Sequence, residues 1–287
     1  MICCVRGRSV IKGIGKSEFI LLSENDAQNK TMKLSSWNVN SLKVRLPQVV
    51  DWLKLNQPDV LCLQETKLQD AHFPVDEIAE IGYHAIFSGQ KTYNGVALLS
   101  KVNTDTDYCT ALPGLNDPQK RLIAATCNDI RVICIYVPNG ERVDSEKYSY
   151  KLEWLKALTS FLQEERKRHS KIALLGDFNI APTSSDVYDP PAWEGKVLCS
   201  APEREAFQQL LATGLVDSFR LFTQPPGTYT WWDYRMMSFR RNHGLRIDHI
   251  LISAEMAHSC TRCWVDIAPR KLERPSDHAP ITAELSL

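Results

Sequence analysis

The residues of this chain that are best suited to chemistry stand in 171–182, KIALLGDFNIAP. A short apolar run ends at Gly176, and Asp177 and Asn179 follow at once. An acid and an amide at the carboxyl end of a buried strand occupy the position where α/β proteins place functional groups. The same pair is also typical of an Asx turn, in which the side chains bond only their own backbone. This stretch alone leaves both interpretations open.

Other parts of the chain repeat this arrangement of polar residues beside strand-like apolar runs. The set is Asn38, Glu65, Tyr136, Asp177, Asn179, Asp248, Asp277 and His278. If the strands share one sandwich, these side chains converge on one rim although they are far apart in sequence. Each residue has a structural explanation as a cap, a turn or a surface charge. Together, however, acids, amides, one Tyr and one His favour a hydrolytic, metal-assisted site.

The residue types also indicate the chemistry of such a site. Carboxylate and amide oxygens are hard ligands that suit Mg²⁺, with Mn²⁺ as a substitute, and not zinc. Glu65 has only Lys67 as a nearby basic residue, so its charge is available to a cation. A carboxylate such as Asp177 can take a proton from a water nucleophile. His278 needs a carboxylate partner, and either Asp248 or Asp277 can serve.

The apolar patterns predict alternating α and β segments around these residues. Strands are predicted at 34–37, 59–64, 83–87, 96–99, 122–126, 132–136, 172–175, 229–232, 249–253 and 280–287. Helices are predicted at 46–55, 145–169 and 202–212. The sequence contains no usable internal repeat and no low-complexity linker. We therefore expect a single α/β domain over residues 32–287.

Composition narrows the classes of protein. With 287 residues, of which 44% are hydrophobic and 24% charged, the chain is typical of a globular protein, and its apolar runs are too short for a membrane span. The net charge is zero, so affinity for nucleic acid must come from local basic patches. Nine scattered cysteines suggest reduced thiols, and Cys260 and Cys263 are interpreted as strand residues rather than a zinc site. We expect a cytoplasmic monomer without membrane contact.

Residues 1–31 differ from the rest of the chain. Four basic residues precede the first acid, and a polar stretch then leads to Met32. The longest apolar piece is too short for the core of a signal peptide. We expect a disordered extension or a start assigned upstream of the native one.

A basic and aromatic segment provides a candidate nucleic-acid surface. Its cationic groups are Arg235, Arg240, Arg241, His243 and Arg246, and Trp231, Trp232 and Tyr234 lie beside them. A run of charges is often only a solvated loop. Aromatic residues interleaved with arginine favour a surface that follows a DNA backbone.

An ordered set of motifs resembles the exonuclease III family of AP endonucleases. The motifs are SWNVNS, LQETK, NGVALLS, YVPNG, GDFNIAP, YTWWDYR, GLRIDHILIS and PSDHAP, and they extend over residues 32–287. Other enzymes of this fold group, such as pancreatic-type deoxyribonuclease and inositol-phosphate phosphatases, share fewer of them. The resemblance implies a four-layer α/β sandwich, in which two packed mixed sheets are flanked by helices.

The resemblance also implies roles for individual residues. Glu65 matches the principal metal ligand, with Asn38 and Asp277 close to the ion. Asp177 matches the residue that positions or deprotonates the attacking water, and Asn179 matches the residue that orients this water. His278 matches the phosphate-binding histidine, and either Asp248 or Asp277 is its carboxylate partner. Tyr136 matches a tyrosine beside the scissile phosphate. Trp231, Leu245 and Ile247 match the set that packs against a flipped-out abasic sugar.

The activity that the resemblance implies is Mg²⁺-dependent phosphodiester hydrolysis in DNA repair. The enzyme would cut duplex DNA on the 5′ side of abasic sites, and it would remove 3′-blocking groups and 3′ nucleotides. Two alternatives remain open. One is an enzyme of the same fold that acts on a phosphorylated small molecule or lipid. The other is a non-catalytic DNA-binding relative, which the presence of Glu65, Asp177 and His278 disfavours.

Overall fold

The computed structural model describes residues 31–287 of the chain. Its first strand begins at Thr31, one residue before the predicted domain start. The rest of the predicted N-terminal extension lies outside the described residues. Within 31–287 no helix is both long and apolar enough to cross a membrane.

The described residues form the following strands and helices. The strands are β1 (Thr31–Asn38), β2 (Val60–Gln64), β3 (His84–Ser88), β4 (Val96–Ser100), β5 (Leu122–Cys127), β6 (Ile130–Tyr136), β7 (Ile172–Asp177), β8 (Leu215–Asp217), β9 (Asp248–Ser253), β10 (Cys260–Val265) and β11 (Ile281–Ser286). The helices are α1 (Leu42–Asn56), α2 (Val75–Ala79), α3 (Glu146–Arg168), α4 (Pro190–Trp193), α5 (Ala201–Ala212) and α6 (Ser238–Arg241). Several short 3₁₀ turns join them.

The strands build two mixed sheets. One has the order β10-β11-β1-β2-β4-β3, and the other has the order β5-β6-β7-β9-β8. β1 and β2 are parallel, as are β6 and β7, while β9 and β11 run antiparallel to their neighbours. A core that includes Val60, Leu98, Val132 and Ile250 fills the space between the sheets.

Helices cover both outer faces of this pair of sheets. α1 and α2 pack on the six-stranded sheet through a cluster that includes Trp52 and Ile78. α3 and α5 pack on the five-stranded sheet through a cluster that includes Trp154 and Phe207. The resulting helix–sheet–sheet–helix order confirms the predicted four-layer α/β sandwich.

Local sequence explains where α3 and α5 lie. α3 begins after Ser145, whose hydroxyl accepts the Tyr148 N–H, and its last turn carries three basic residues that favour the helix C-terminus. α5 begins with a capping box in which Ser200 and Glu203 satisfy each other's free backbone donors. Both helices were predicted to within about one residue.

Several parts of the fold differ from the sequence prediction: α1 begins at Leu42, and the short helices α2, α4 and α6 were not predicted. The stretch 229–232 is not a strand, because only Trp231 forms isolated bridges, to Leu245 and His278. β8 and β10 were not predicted, since β8 has only three residues and β10 carries the polar residues Thr261 and Arg262 within its apolar run. Cys260 and Cys263 lie in β10 as free thiols, as expected for ordinary strand residues.

Candidate active site

The predicted site residues meet at one end of the two sheets. The parallel strands β1 and β2, and β6 and β7, finish there, so that Asn38, Tyr136 and Asp177 are the last residues of their strands. The antiparallel strand β9 starts at the same edge, with Asp248 paired directly to Asp177. The fold therefore brings together residues as far apart in sequence as Asn38 and His278.

Gly176 makes this convergence possible. A Cβ atom at this position would lie 2.0 Å from the carbonyl oxygen of Ile135. Only glycine permits β6 and β7 to approach so closely. Tyr136 and Asp177, the next pair in the register, are consequently held side by side.

Asp177 uses its two carboxylate oxygens differently. Oδ1 accepts the backbone N–H of Asn179 at 2.9 Å, which is the Asx turn considered above. Oδ2 accepts Nδ2 of Asn38 at 2.9 Å and points toward Nε2 of His278, 3.7 Å away. Burial, reinforced by the Asp248 charge and opposed by His278, raises the pKa of Asp177 above the usual range of a carboxylic acid. One oxygen thus orders the loop while the other faces the reaction site.

His278 is held by Asp248. Its Nδ1 lies 2.8 Å from Oδ2 of Asp248, so the structure assigns Asp248, and not Asp277, as its carboxylate partner. Because this carboxylate accepts, Nδ1 carries a hydrogen and Nε2 faces Asp177. Burial alone lowers the pKa of His278, but the carboxylates of Asp248 and Asp177 outweigh it and raise the pKa overall. The imidazole is therefore a cationic donor at neutral pH.

The phenol of Tyr136 lies near the carboxylates of Glu65 and Asp177. Burial, followed by the charges of Glu65 and Asp177, raises the pKa of its phenol well above the usual value. The phenol therefore keeps its proton. The Arg121 guanidinium lies 4.8 Å from the centre of the ring and holds it from the other side.

Carboxylate oxygens of Glu65 and Asp177 and a ring nitrogen of His278 all lie within 4.8 Å of one another. A cationic imidazole cannot ligate a metal ion, so the two carboxylates are the ligands that this group offers, and oxygen ligands fit a hard divalent cation better than zinc. Nδ2 of Asn38 donates to both carboxylates, at 2.9 Å in each case, and orders them. Lys67 supplies the balancing charge, with its Nζ 2.8 Å from Oε2 of Glu65.

Asp277 lies at the edge of this group. Its Oδ1 accepts Nδ2 of Asn40 at 2.9 Å, and its Oδ2 accepts Nε1 of Trp231 at 3.0 Å. Asn40 in turn accepts a bond from Lys67, so it connects Asp277 to Glu65. Sequence reasoning did not include Asn40 in the site, although it stands two residues after Asn38 in the SWNVNS motif. Metal coordination by Asn38 and Asp277 stays a prediction.

The position of Arg246 differs from the prediction that this residue belongs to the DNA-binding surface. Its side chain is only 1% exposed, with Nε 2.6 Å from Asp186 and NH1 2.8 Å from Asp217. Two acids that are distant in sequence, Asp186 in a 3₁₀ turn and Asp217 at the end of β8, compensate the buried charge, and local sequence gives no sign of them. The prediction that Arg246 contacts DNA is therefore wrong.

The predicted sugar pocket needs a similar correction. Leu245 and Ile247 are fully buried in an apolar cluster with Val187 and Leu198. They have no exposed surface for direct contact with a sugar, because 245–248 is an interior segment. Trp231 packs on this cluster and is partly exposed. Direct contact is thus possible for Trp231, with Leu245 and Ile247 supporting it from below.

The rest of the basic segment lies at the surface beside the site. Arg235, Arg240 and Arg241 are not buried, and Arg235 forms an ion pair with Asp233 at 2.7 Å. Met236 and Met237 are also exposed, at 75% and 57%, and both have a positive φ. Sequence reasoning did not include these two methionines, which put apolar surface between the arginines.

Comparisons with known proteins agree with this geometry. Exodeoxyribonuclease III of Haemophilus influenzae is 37% identical over 265 residues, which cover 88% of this chain and 99% of that protein. A structure described as the 3′ phosphatase NExo from Neisseria bound to product DNA hairpin is 52% identical, with a TM-score of 0.87, and the match covers 89% of this chain and all of that one. An AP endonuclease from Archaeoglobus fulgidus is 40% identical, with a TM-score of 0.85 and the same coverage.

The fold and the site together define a hydrolase of phosphate esters. The chain belongs to the Endonuclease/Exonuclease/phosphatase family, whose model matches residues 35–278. The resemblance to exonuclease III-type nucleases that the motifs carry is confirmed.

Proposed function

We propose that this protein is a Mg²⁺-dependent DNA-repair phosphodiesterase. It cuts duplex DNA on the 5′ side of abasic sites and removes 3′-blocking groups and 3′ nucleotides. The observation that carries this proposal is the meeting of Glu65, Asp177 and His278 at the sheet edge, beside an exposed surface of arginines and aromatic residues. Mn²⁺ is the expected substitute for Mg²⁺, because it accepts the same oxygen ligands.

The side chains divide the work of hydrolysis among them. Asp177, with its raised pKa, accepts a proton from the attacking water, and Asn179 orients that water. The cationic His278 donates to a phosphate oxygen, where charge grows in the transition state. Tyr136 donates a hydrogen bond from its phenol to the leaving oxygen and keeps its proton. A divalent cation held by Glu65 supplies Lewis-acid stabilisation of the phosphate when it is bound.

Two features favour DNA over a small phosphorylated substrate. Arg240 and Arg241 lie on α6 next to the site, and neither belongs to an ion pair identified among residues 31–287. Exposed Tyr234, Met236 and Met237 lie on the same segment. A small phosphate ester would contact little of this surface. The relatives named above act on DNA according to their descriptions, which supports the same conclusion.

Internal cleavage and 3′-end processing are the two proposed activities, and an apolar wall lies beside the site that would perform them. Leu198 closes one side of this wall with Val187, and Trp231 lies at its edge. Leu198 has a φ of 74°, an uncommon conformation for a residue with a branched side chain. Both activities are included in the proposal, and the experiment measures them separately.

The test uses two labelled duplexes, one with a single abasic site and one with a 3′-phosphate at a nick. We expect the protein to cleave or dephosphorylate them in Mg²⁺ and to lose both activities in EDTA. A short-chain phosphoinositide serves as the competing substrate. Hydrolysis of the phosphoinositide without action on either duplex would overturn the proposal. Binding of both duplexes without any turnover would indicate a non-catalytic DNA-binding protein instead.

Three parts of the proposal are based on the sequence: abasic DNA as the substrate, a monomeric state and a cytoplasmic location. Size-exclusion chromatography with light scattering tests the monomer. The abasic duplex above tests the substrate.

A further inference from the structure

A fully buried lysine lies beneath the site, on the side away from the substrate. Lys151, in the second turn of α3, is 0% exposed. Its Nζ donates to the backbone oxygen of Asn179 at 2.6 Å, to that of Asn139 at 3.1 Å and to Oε1 of Glu203 at 2.5 Å. Burial lowers the pKa of Lys151, and the Glu203 carboxylate opposes this effect. Three acceptors match the three N–H groups of an ammonium ion, so Lys151 binds in its charged form.

The two backbone oxygens belong to the loops that hold the side chain of Asn179. Nδ2 of Asn139 donates to Oδ1 of Asn179 at 3.1 Å. Nδ2 of Asn179 donates to the Val137 oxygen at 3.0 Å. Asn179 also has a φ of 50°, a left-handed conformation that asparagine tolerates, and its backbone oxygen is supported by a hydrogen bond from α3. Lys151 provides that support by binding both loops at one point.

Glu203 fixes the lysine from the opposite side. Its Oε1 accepts Nζ of Lys151 and also the N–H of Leu198 at 3.0 Å. Its Oε2 accepts the N–H and the hydroxyl of Ser200, at 3.1 and 2.6 Å. The first turn of α5 therefore determines where the charge of Lys151 lies, and the pair connects α3 and α5 to the catalytic loop.

We propose that Lys151 is a positioning residue for Asn179. It touches neither substrate nor metal, and acts by holding the backbone of Asn139 and Asn179 so that the side-chain amide of Asn179 stays beside Oδ2 of Asp177. The inference rests on the proposed function, because Asn179 orients the water in that reaction. A displacement of about 1 Å at such a group can cost roughly 10²-fold in rate.

The chain offers a matched control for the loss of a buried cation. Arg131, at the start of β6, pairs with Glu165 in the last turns of α3, with Nε 2.5 Å from Oε2. This pair also joins α3 to the same sheet, and it is nearly as buried, with 10% and 4% of the side chains exposed. It lies at the opposite end of β6 from Tyr136, so its loss should destabilise the fold without disturbing the catalytic loop.

The first test compares Lys151→Met with Arg131→Met on the 3′-phosphate duplex. Both variants should melt at a lower temperature, because each removes the nearest cation from a buried carboxylate. Lys151→Met should lower kcat by about 10- to 100-fold with KM changed by less than about threefold. Arg131→Met should keep kcat within about twofold of the wild type. Equal kcat losses in the two variants would make Lys151 merely structural and overturn the proposal.

A double-mutant cycle then asks whether Lys151 acts through Asn179. In an Asn179→Ala background, Lys151→Met should lower kcat by less than about twofold, because the group it positions is absent. The full loss in that background would contradict the proposal. Lys151→Met with Glu203→Gln should recover much of the melting temperature but not kcat, since no charge is left unpaired while both backbone oxygens still lack their donor. Recovery of kcat together with stability would also count against the positioning role.

A readout that does not depend on activity separates this inference from the proposed function. The side-chain amide signals of Asn179 in a ¹⁵N-correlated NMR spectrum can be assigned from their loss in Asn179→Ala. They should shift or broaden in Lys151→Met and stay in place in Arg131→Met. Unchanged signals in Lys151→Met would overturn the positioning role even in an active enzyme. Failure of the wild type to act on either duplex would overturn the proposed function while the NMR result still decides the inference.

Discussion

At the scale of single residues, the site depends on polar atoms that have one partner in the scaffold and one in the reaction space. Asp177 binds the Asn179 N–H with Oδ1 and leaves Oδ2 to Asn38 and His278. His278 binds Asp248 with Nδ1 and keeps Nε2 for the substrate side. This division holds each group in place before substrate arrives, which is the condition for electrostatic catalysis.

The substitution Asp177→Asn separates the two duties of this carboxylate. The new amide keeps an oxygen for the Asn179 N–H but cannot accept a proton from water. We expect kcat to fall by about 10² to 10⁴, with the dissociation constant for duplex DNA within about threefold of the wild type. Single-turnover cleavage and fluorescence anisotropy measure the two quantities. A parallel loss of binding and rate would show that the role of Asp177 is structural.

At the scale of elements, one buried cluster joins β8, β9 and the loop before α4. Arg246 binds Asp186 and Asp217, and its NH1 lies 2.9 Å from Nδ1 of His249. Nε2 of His249 lies 2.9 Å from the Ile180 oxygen. Because Arg246 can only donate, Nδ1 of His249 must accept, and the imidazole is neutral. This cluster supports the segment 245–248 beneath Trp231.

The neutral state of His249 predicts a loss of stability in acid. Burial, followed by the charge of Arg246, lowers the pKa of His249 from 6.5 to about 4. The contribution of neutral His249 to the free energy of unfolding is complete above pH 6.5. It is lost as the pH falls toward 4, because in that range the imidazole takes up a proton in the unfolded chain but not in the folded one. The free energy of unfolding should therefore decrease by about 1.4 kcal/mol per pH unit from this residue.

Urea unfolding of the wild type and of His249→Gln between pH 7 and pH 4.5 measures this contribution. Gln can accept from Arg246 or donate to the Ile180 oxygen, but it does not titrate, and Asp186 and Asp217 remain in both proteins. The wild type should lose stability more steeply than the variant below about pH 6.5. Parallel curves would show that His249 is not neutral in the folded state or that its pKa is not lowered.

The exposed segment around α6 belongs to the same scale. Arg240→Ala with Arg241→Ala should flatten the dependence of DNA affinity on salt by roughly one unit of log–log slope for each phosphate that is no longer neutralised. Hydrolysis of a small chromogenic phosphodiester should not change, because it needs only the catalytic groups. Anisotropy titrations at several salt concentrations provide the slope.

The matched control for this pair is Lys167→Ala with Arg168→Ala at the end of α3. Those side chains are 68% and 70% exposed and lie on the last turn of the helix, where basic residues favour the helix dipole. They should leave the salt slope unchanged. If the α6 variant binds and cuts abasic duplex normally at moderate salt, this segment does not contact DNA.

At the scale of the whole molecule, the catalytic unit is predicted to need only residues 32–287. Every motif lies in this range, and the composition of residues 1–31 differs from it. A chain that begins at Met32 loses a single pair of the β1–β11 register, Thr31 with Ser286. We expect its melting temperature and turnover number to match those of the full chain. A marked fall in either would show that the first 31 residues contribute to the domain.

The sequence by itself determined those features that depend on neighbours along the chain. The long helix α3, the buried strands β2 and β7 and the polar residues at strand ends follow from apolar periodicity, capping residues and the order of the motifs. The apolar periodicity predicted only alternating α and β segments, whereas the four-layer fold was implied by the resemblance that the ordered motifs carry, and the same motifs pointed to Glu65, Asp177 and His278. The local signals failed for 229–232. Its aromatic residues are typical of a strand, but the backbone there forms only isolated bridges.

Only the tertiary structure decided features that depend on partners distant in sequence. The choice of Asp248 over Asp277 for His278 depends on how β9 lies against β7, and both acids were equally plausible along the chain. The burial of Arg246 depends on Asp186 and Asp217, which lie 60 and 29 residues earlier in the chain. From sequence alone, a charged side chain is predicted to be exposed, because burying it costs free energy. Only partners that folding brings close to the charge compensate that cost.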